Sequence, residues 1–218
     1  SSVDQLPGAL LGAGIAVGVT VGVGKSGAVQ RMVLVGVAVS ALCSALTSIF
    51  LVIDEAQLAT VMSWLSGRLA GVRLDDIMPA LIAVLVVVPL TLVGAKTLDL
   101  LVAGDAVAGA VGAKPERIRL AAIVAAVVLI APAVAATGPI GFLGLMAAAV
   151  AWRVCGPHHR MGLCVAGIIG AAVLLVADSV GQAIWAPAET PVGIVTSLAG
   201  MPLVLWSVHA LGRRKHAA

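Results

Sequence analysis

Apolar residues run along this chain in seven stretches: Pro7 to Val23, Met32 to Ile53, Ile77 to Ala95, Ile118 to Ala136, Ile140 to Cys155, Met161 to Ile184 and Val192 to Leu211. Short polar joints separate them. Inside a bilayer no water can satisfy backbone N–H and C=O groups, so stretches this long and this poor in charge predict helices that bond their own backbone. At about 1.5 Å rise per residue most of them can cross a hydrocarbon core about 30 Å thick, the first and fifth being the shortest. The expected fold is an all-α, polytopic transmembrane helical bundle.

Two joints carry patterns of their own. In the joint from Asp54 to Asp76, Leu58, Val61, Met62, Leu65 and Leu69 recur at helical spacing beside Trp64, which predicts a short amphipathic helix at the membrane surface with Trp64 as its anchor. In the joint from Lys96 to Arg117, Leu98, Leu101, Val102, Ala106, Val107, Ala110 and Val111 form small apolar faces on two short helices broken near Gly104 and Asp105. Asp99, Asp105, Lys114 and Glu116 are too costly to bury in lipid, so these helices are expected outside the bilayer, where their small side chains suit a soluble partner. Gly104 lets the chain turn between them, and Asp105 is expected to cap the second.

Charge sets the orientation. One set of alternate joints holds Lys25, Arg31, Lys96, Lys114, Arg117, Arg119, Arg153, Arg160, Arg213, Arg214 and Lys215, and the other holds Arg68 and Arg73. Basic residues at helix ends are retained in the cytoplasm, so the start of the chain is expected outside and its basic end inside. Asp54, Glu55, Asp75, Asp76 and Glu189 then lie outside. At 61% hydrophobic and 11% charged, the chain departs far from the soluble norm of roughly one quarter charged residues. Its pI near 9.1 does not point to nucleic acid, because the basic residues sit at helix ends with no aromatic platform, Tyr being absent. They are topology determinants that also meet anionic membrane lipid.

Other features yield less chemistry. Gly8, Gly12, Gly14, Gly18 and Gly22 put small residues along the first stretch, and such spacing predicts close packing against neighbouring helices. Cys43, Cys155 and Cys164 fall outside the external joints and read as small packing residues. Gly24-Lys25-Ser26 is not a phosphate loop, because Val19 stands where the required glycine would be. Gly12-Ala13-Gly14 likewise fails the dinucleotide spacing. His158-His159 lacks a further Cys, Asp or Glu at ligand spacing, so neither a metal site nor a cofactor is expected.

No predicted span has a charge at its centre. Asp178 lies toward the outer end of the sixth stretch and His209 toward the inner end of the seventh. Asp178 reads as an interfacial cap or a hydrogen bond to a neighbouring helix, with a transport role as the alternative. No Ser/His or carboxylate pair is placed for hydrolysis, so neither an ion-coupled carrier nor a membrane enzyme is favoured.

A set of segments carries a family likeness in order along the chain: VLVGVAVSALCSALTS, WLSG, GDAVAGAVG (Gly104 to Gly112), TGPIGFLGL (Thr137 to Leu145), GPHHR (Gly156 to Arg160), Ala177-Asp178, PAETPVGIVT (Pro187 to Thr196) and GMPLVLW (Gly200 to Trp206). Together they resemble the FecCD-type permease family of ABC importers for ferric siderophores, haem and vitamin B12. The likeness covers nearly the whole chain, as a single transmembrane permease domain over 1–218 corresponding to the family's last seven spans. Its early motifs have no counterpart, which implies that the family's N-terminal helices are lacking. The chain departs from the pattern at Ala148, Ala149, Trp152, Gln182, Leu203 and Val204.

The resemblance implies a permease subunit without an ATPase site of its own. A second permease subunit, identical or different, would complete the pathway; a cytoplasmic ABC ATPase would drive it, and an extracytoplasmic solute-binding protein would deliver a chelated metal, most of all a ferric siderophore. Gly104, Asp105, Ala108 and Gly112 match the family's ATPase-coupling segment. Ser40, Ser44, Thr47, Thr196 and Ser197 become candidate pathway positions, with interhelical hydrogen bonding as the alternative role for these hydroxyls. Arg68 and Arg73 become candidates for docking the binding protein, with lipid headgroup contact as their alternative. An ATPase-independent carrier or channel, or a truncated subunit that does not transport, are the competing functions.

Overall fold

The computed structural model describes residues 2–24, 29–53, 58–156, 158–185 and 192–202, and every regular element among them is a helix. In chain order these are α1 (Ser2–Gly24), α2 (Val29–Ile53), α3 (Leu58–Leu65), α4 (Leu74–Val93), α5 (Ala95–Val102), α6 (Asp105–Ala110), α7 (Pro115–Thr137), α8 (Leu143–Cys155), α9 (His159–Trp185) and α10 (Val192–Pro202). Four contain segments long and apolar enough to cross a membrane: Leu34–Ile53, Leu74–Val93, Pro115–Thr137 and His159–Ile184. The described parts of the other three predicted stretches form shorter apolar helices, Pro7–Thr20, Leu143–Cys155 and Val192–Pro202. Lys25, Asp54, Glu55, Pro187, Glu189, Leu203, Val204, Trp206, His209, Arg213, Arg214 and Lys215 lie outside the described residues.

Small side chains set the packing. α4 buries Ala83 and Val87, α7 buries Ala131, Pro132 and Ala135, and the two helices pack together. α8 buries Met146, Ala147 and Ala151 against α9, where a side chain added at Gly170 would meet Ala147 Cβ at 3.7 Å. Where lipid is as apolar as leucine, close backbone approach of this kind supplies the dispersion contacts that join helices. Large apolar residues face outward: Leu85 and Leu90 on α4, Ile168 and Leu175 on α9 are exposed, as a lipid-facing surface requires.

α1 corrects an expectation. It packs on α2, α4 and α7, but a Cβ at Gly8, Gly12, Gly14, Gly18 or Gly22 would meet nothing within 4 Å. Among the residues of α1 whose burial is described, Ala9, Ala13, Ala16, Val17 and Thr20 are half-buried. They follow the same helical spacing one position along, so the alanine face makes the contact and the glycine face stays uncovered.

The helices run alternately between two ends. α4 starts beside Arg73, whose backbone N–H donates to the Asp76 carboxylate at 3.2 Å, and leads into α5 at Gly94. α7 starts with Pro115 at its first turn, where a missing N–H costs nothing, and returns to the first end, where its Thr137 carbonyl accepts the Arg68 N–H at 2.8 Å. α8 then leads back to the end that holds α5, since His159 at the start of α9 meets Asp99. The joints rich in basic residues around Lys96, Lys114, Arg153 and Arg160 therefore share one end, and Arg68 and Arg73 share the other.

Candidate functional site

The basic end is built around an elbow formed by α5 and α6. Gly104 joins the two helices with φ +101° and ψ 156°, a backbone region open to glycine and strained for any residue with a Cβ. α6 closes with a second glycine. Gly112, at φ +82°, donates its N–H to the Gly109 carbonyl at 2.9 Å, and Ala113 donates to the Ala108 carbonyl at 3.0 Å. This pair of bonds, with glycine just past the helix end, satisfies carbonyls that a six-residue helix would otherwise leave free.

Two acidic residues tie the elbow to the spans. Asp105 does not cap α6 as its position predicts: Gly104 is the capping residue with no side-chain bond, and the Asp105 carboxylate instead accepts from Arg119 Nη2 on α7 at 2.8 Å. Asp99 accepts twice from His159, from its backbone N–H at 2.9 Å and from its ring Nδ1 at 2.7 Å. The backbone bond, followed by the ring bond, holds the Asp99 carboxyl below the ordinary carboxylate range; the electrostatic pull of His159 and His158 adds to this and burial opposes it. An ionised carboxylate only accepts, so Nδ1 of His159 carries the hydrogen. The His159 ring stands edge-on to Trp152 of α8, with centroids 5.5 Å apart and planes at 87°. Fold thus supplies the acidic neighbour that local spacing around His158-His159 does not. Among the described residues no group of three or more His, Cys, Asp and Glu is arranged to hold a metal.

Ala108 is fully buried within the chain, so its side chain seats α6 on its own protein and offers no surface to a partner. The outward face of the elbow is formed by Val107 and Val111, 49% and 69% exposed, with Val102 beside them at 48%. Val107 and Val111 are one turn apart and make an apolar knob flanked by small residues, outside the spans.

The opposite end is held by backbone. Gly138, at φ +75°, ends α7 with its Cα against the Trp64 carbonyl, so closely that a Cβ there would overlap that oxygen. A Cβ at Gly67 would lie 2.8 Å from the Pro139 carbonyl oxygen, and one at Gly193 would lie 2.6 Å from that of Ser66. The end of α3, the α7–α8 joint and the start of α10 therefore meet main chain to main chain. Phe142 adds a fourth contact: it holds φ 60°, the non-glycine residue with positive φ among those described, and its Cβ would lie 2.7 Å from a Cβ at Gly200. These glycines fall within WLSG, TGPIGFLGL, PAETPVGIVT and GMPLVLW, but nothing in residue type announced that these segments touch.

The candidate hydroxyls and arginines divide accordingly. Thr196 is fully buried and donates to the Gly193 carbonyl at 3.1 Å, so it serves the junction and lines no open surface here. Ser197 donates to the same carbonyl at 2.7 Å and borders an apolar cleft of about 640 Å³ together with Leu65, Pro139, Ile194 and Met201. Ser40 and Ser44 are exposed on α2 and Thr47 donates to the Cys43 carbonyl at 2.9 Å, the local bond hydroxyls adopt in apolar helices. Arg68 is half-buried, its guanidinium donating to Ser63 Oγ in a cleft of about 510 Å³ that also includes Trp64, Asp76 and Thr137; Arg73 is exposed. Trp64 is 37% exposed on α3. Among the described residues the Asp178 carboxylate accepts from Gln182 Nε2 at 2.8 Å, a bond within α9 itself.

Comparison with known proteins places this geometry. The model of the FecCD transport family matches residues 1–210. The chain is similar to the iron(3+)-hydroxamate import system permease protein FhuG of Bacillus subtilis (strain 168), 37% identical over 81% of this chain and 53% of that protein. It is likewise similar to the hemin transport system permease protein HmuU of Yersinia pestis, 36% identical over 84% of this chain and 55% of that one. The chain thus spans about half the length of these relatives. A transporter assigned to the metal-chelate ABC type and solved in an inward-facing conformation superposes with a TM-score of 0.86 at 28% identity, covering 96% of this chain and 68% of its own.

Proposed function

This chain belongs to the FecCD transport family, and from that premise we propose that it is a transmembrane permease subunit of an ATP-driven importer for a chelated metal complex, a ferric siderophore foremost. The observation that carries the reading is the elbow. An apolar knob of Val107 and Val111 stands outside the spans on a frame turned at Gly104 and Gly112 and tied to α7 through Asp105, which is the form expected of a surface that receives a soluble partner. Among the described residues of the spans, Asp178 within α9 is held by Gln182, which supports a drive supplied by a partner rather than by a charged relay. Energy then enters through the elbow, where a cytoplasmic ATPase shifts the balance between inward-open and outward-open arrangements.

On this reading the elbow end is cytoplasmic. The glycine junction faces outward, where a solute-binding protein docks with Arg73 exposed at its edge, and a second permease subunit completes a pathway bordered by Ser197 and by the Ser40, Ser44 and Thr47 face of α2. Gly104, Asp105 and Gly112 shape the coupling segment, Ala108 seats it, and Val107 and Val111 contact the ATPase. The test is Val107→Glu in the permease, read by co-purification with its ATPase and by ATP-dependent uptake of a labelled ferric chelate in liposomes. A charge in the middle of the knob should reduce ATPase capture by at least about tenfold and abolish uptake while membrane insertion is unchanged. Normal capture and uptake would remove the elbow from the ATPase interface and favour a self-sufficient carrier. Orientation is tested separately by cysteine labelling: K114C should be closed, and R73C open, to an impermeant reagent added outside.

A further inference from the structure

We propose that the Asp99–His159 pair is the positioning link that makes α5 and the α8–α9 hairpin move as one body when the elbow is engaged, an inference that rests on the importer reading. Along the chain α5 continues from α4 through Gly94, whose backbone stays helical, and leaves through the turn at Gly104. α5 buries Ala95 and packs on α4, α7 and α9, and its polar tie to α9 is the Asp99 carboxylate, which takes two N–H groups of one residue. The backbone N–H belongs to the first residue of α9, a donor that the helix cannot satisfy itself. The ring N–H adds a second direction, so the pair fixes both the position of α5 and its rotation. Trp152 braces the same ring from the last turn of α8. Three helices therefore converge on His159.

The link is placed where movement can be transmitted. α9 extends for 27 residues from His159 to Trp185, about 40 Å at 1.5 Å per residue, so its first turn lies at the basic end and its last turn at the opposite one. A displacement of α5 is delivered to the start of a rod that crosses the whole bundle. The second tie is weaker for this purpose: Arg119 and Asp105 share one contact with side chains 39% and 55% exposed, against 22% and 37% for His159 and Asp99. Exposed single-contact ion pairs contribute little, whereas charge-assisted bonds that include a backbone N–H hold geometry as well as charge.

The assembled permease–ATPase complex in liposomes tests the link by measuring ATP hydrolysis and ferric-chelate uptake together in Asp99→Ala, His159→Ala and His159→Asn. The first two variants should lower uptake per ATP hydrolysed by about tenfold with ATPase capture unchanged. His159→Asn, which keeps an N–H near the Nδ1 position, should recover most of the loss, a rescue that a purely structural role of the ring would not produce. Spin labels on K96C and M161C, with the native cysteines replaced by serine, should report one distance in nucleotide-free and ATP-bound states and two distances once Asp99→Ala is added. A distance that changes between states in the otherwise unaltered pair, full uptake per ATP in Asp99→Ala, or parallel loss of uptake and ATPase capture would each overturn the link. Absence of ATP-driven uptake in the unaltered complex overturns the importer reading instead, and the label distance then decides the link independently.

Discussion

The two ends of this bundle are joined by different chemistry. At one end, Gly67, Gly138 and Gly193 bring three stretches of main chain into direct contact with one another's carbonyls. At the other, Asp99 and Asp105 reach across space to His159 and Arg119. Backbone contact sets a distance that cannot be adjusted without moving whole segments, because a carbonyl oxygen has no rotamers. Side-chain ties join whole helices at single points, so the tied helices can shift together relative to the rest of the bundle. The glycine junction is thus a fixed point, and the elbow is the end suited to movement.

The sharpest way to break this contrast is Gly138→Ala. Positive φ and overlap with the Trp64 carbonyl act together there, and we expect a loss of about 3 kcal/mol or more in stability, measured as a fall in melting temperature in detergent micelles. Gly8→Ala, where nothing lies within 4 Å, should leave the melting temperature unchanged or slightly raised; equal losses at both sites would show that the junction is not special. The next effect separates the two arginines at the junction end. Arg68→Glu disturbs the bond to Ser63 and should lower stability by roughly 1 kcal/mol, while Arg73→Glu should leave stability intact and weaken capture of the loaded binding protein at low salt, with the difference shrinking as salt rises. Unchanged capture at low salt would take Arg73 out of the docking face.

The smallest effect is expected at the exposed tie. Arg119→Gln should change stability by less than about 1 kcal/mol and uptake by less than twofold, and a larger loss would reverse the ranking of the two ties. Acid tests the Asp99 tie directly. Because the Asp99 carboxyl is held below its ordinary range in the folded protein, its contribution is fully present above that range and is lost as pH falls through the lowered value. The label distance between positions 96 and 161 should therefore stay constant from neutral pH down through the ordinary carboxylate range and change only below it.

Much of the bundle was legible in the residue pattern, because the bilayer forces long uncharged stretches into helices and forces charge to their ends. The elbow was legible for the same reason: Asp99, Asp105 and Lys114 could not lie in lipid, and Gly104 marked the turn between its helices. The family likeness was legible in the ordered set of short segments. Contact partners were not. Gly12 and Ala13 differ by one position in sequence, yet only packing decides which face of α1 is covered; Ala108 looks like a small residue waiting for a partner until its burial shows that α6 rests on it. His159 gained its carboxylate from Asp99, 60 residues away, a proximity that no local spacing encodes. Hydrophobicity and charge act on each segment against one common solvent and so are readable one segment at a time. Which backbone meets which depends on shape summed over several helices at once, and only the tertiary structure performs that sum.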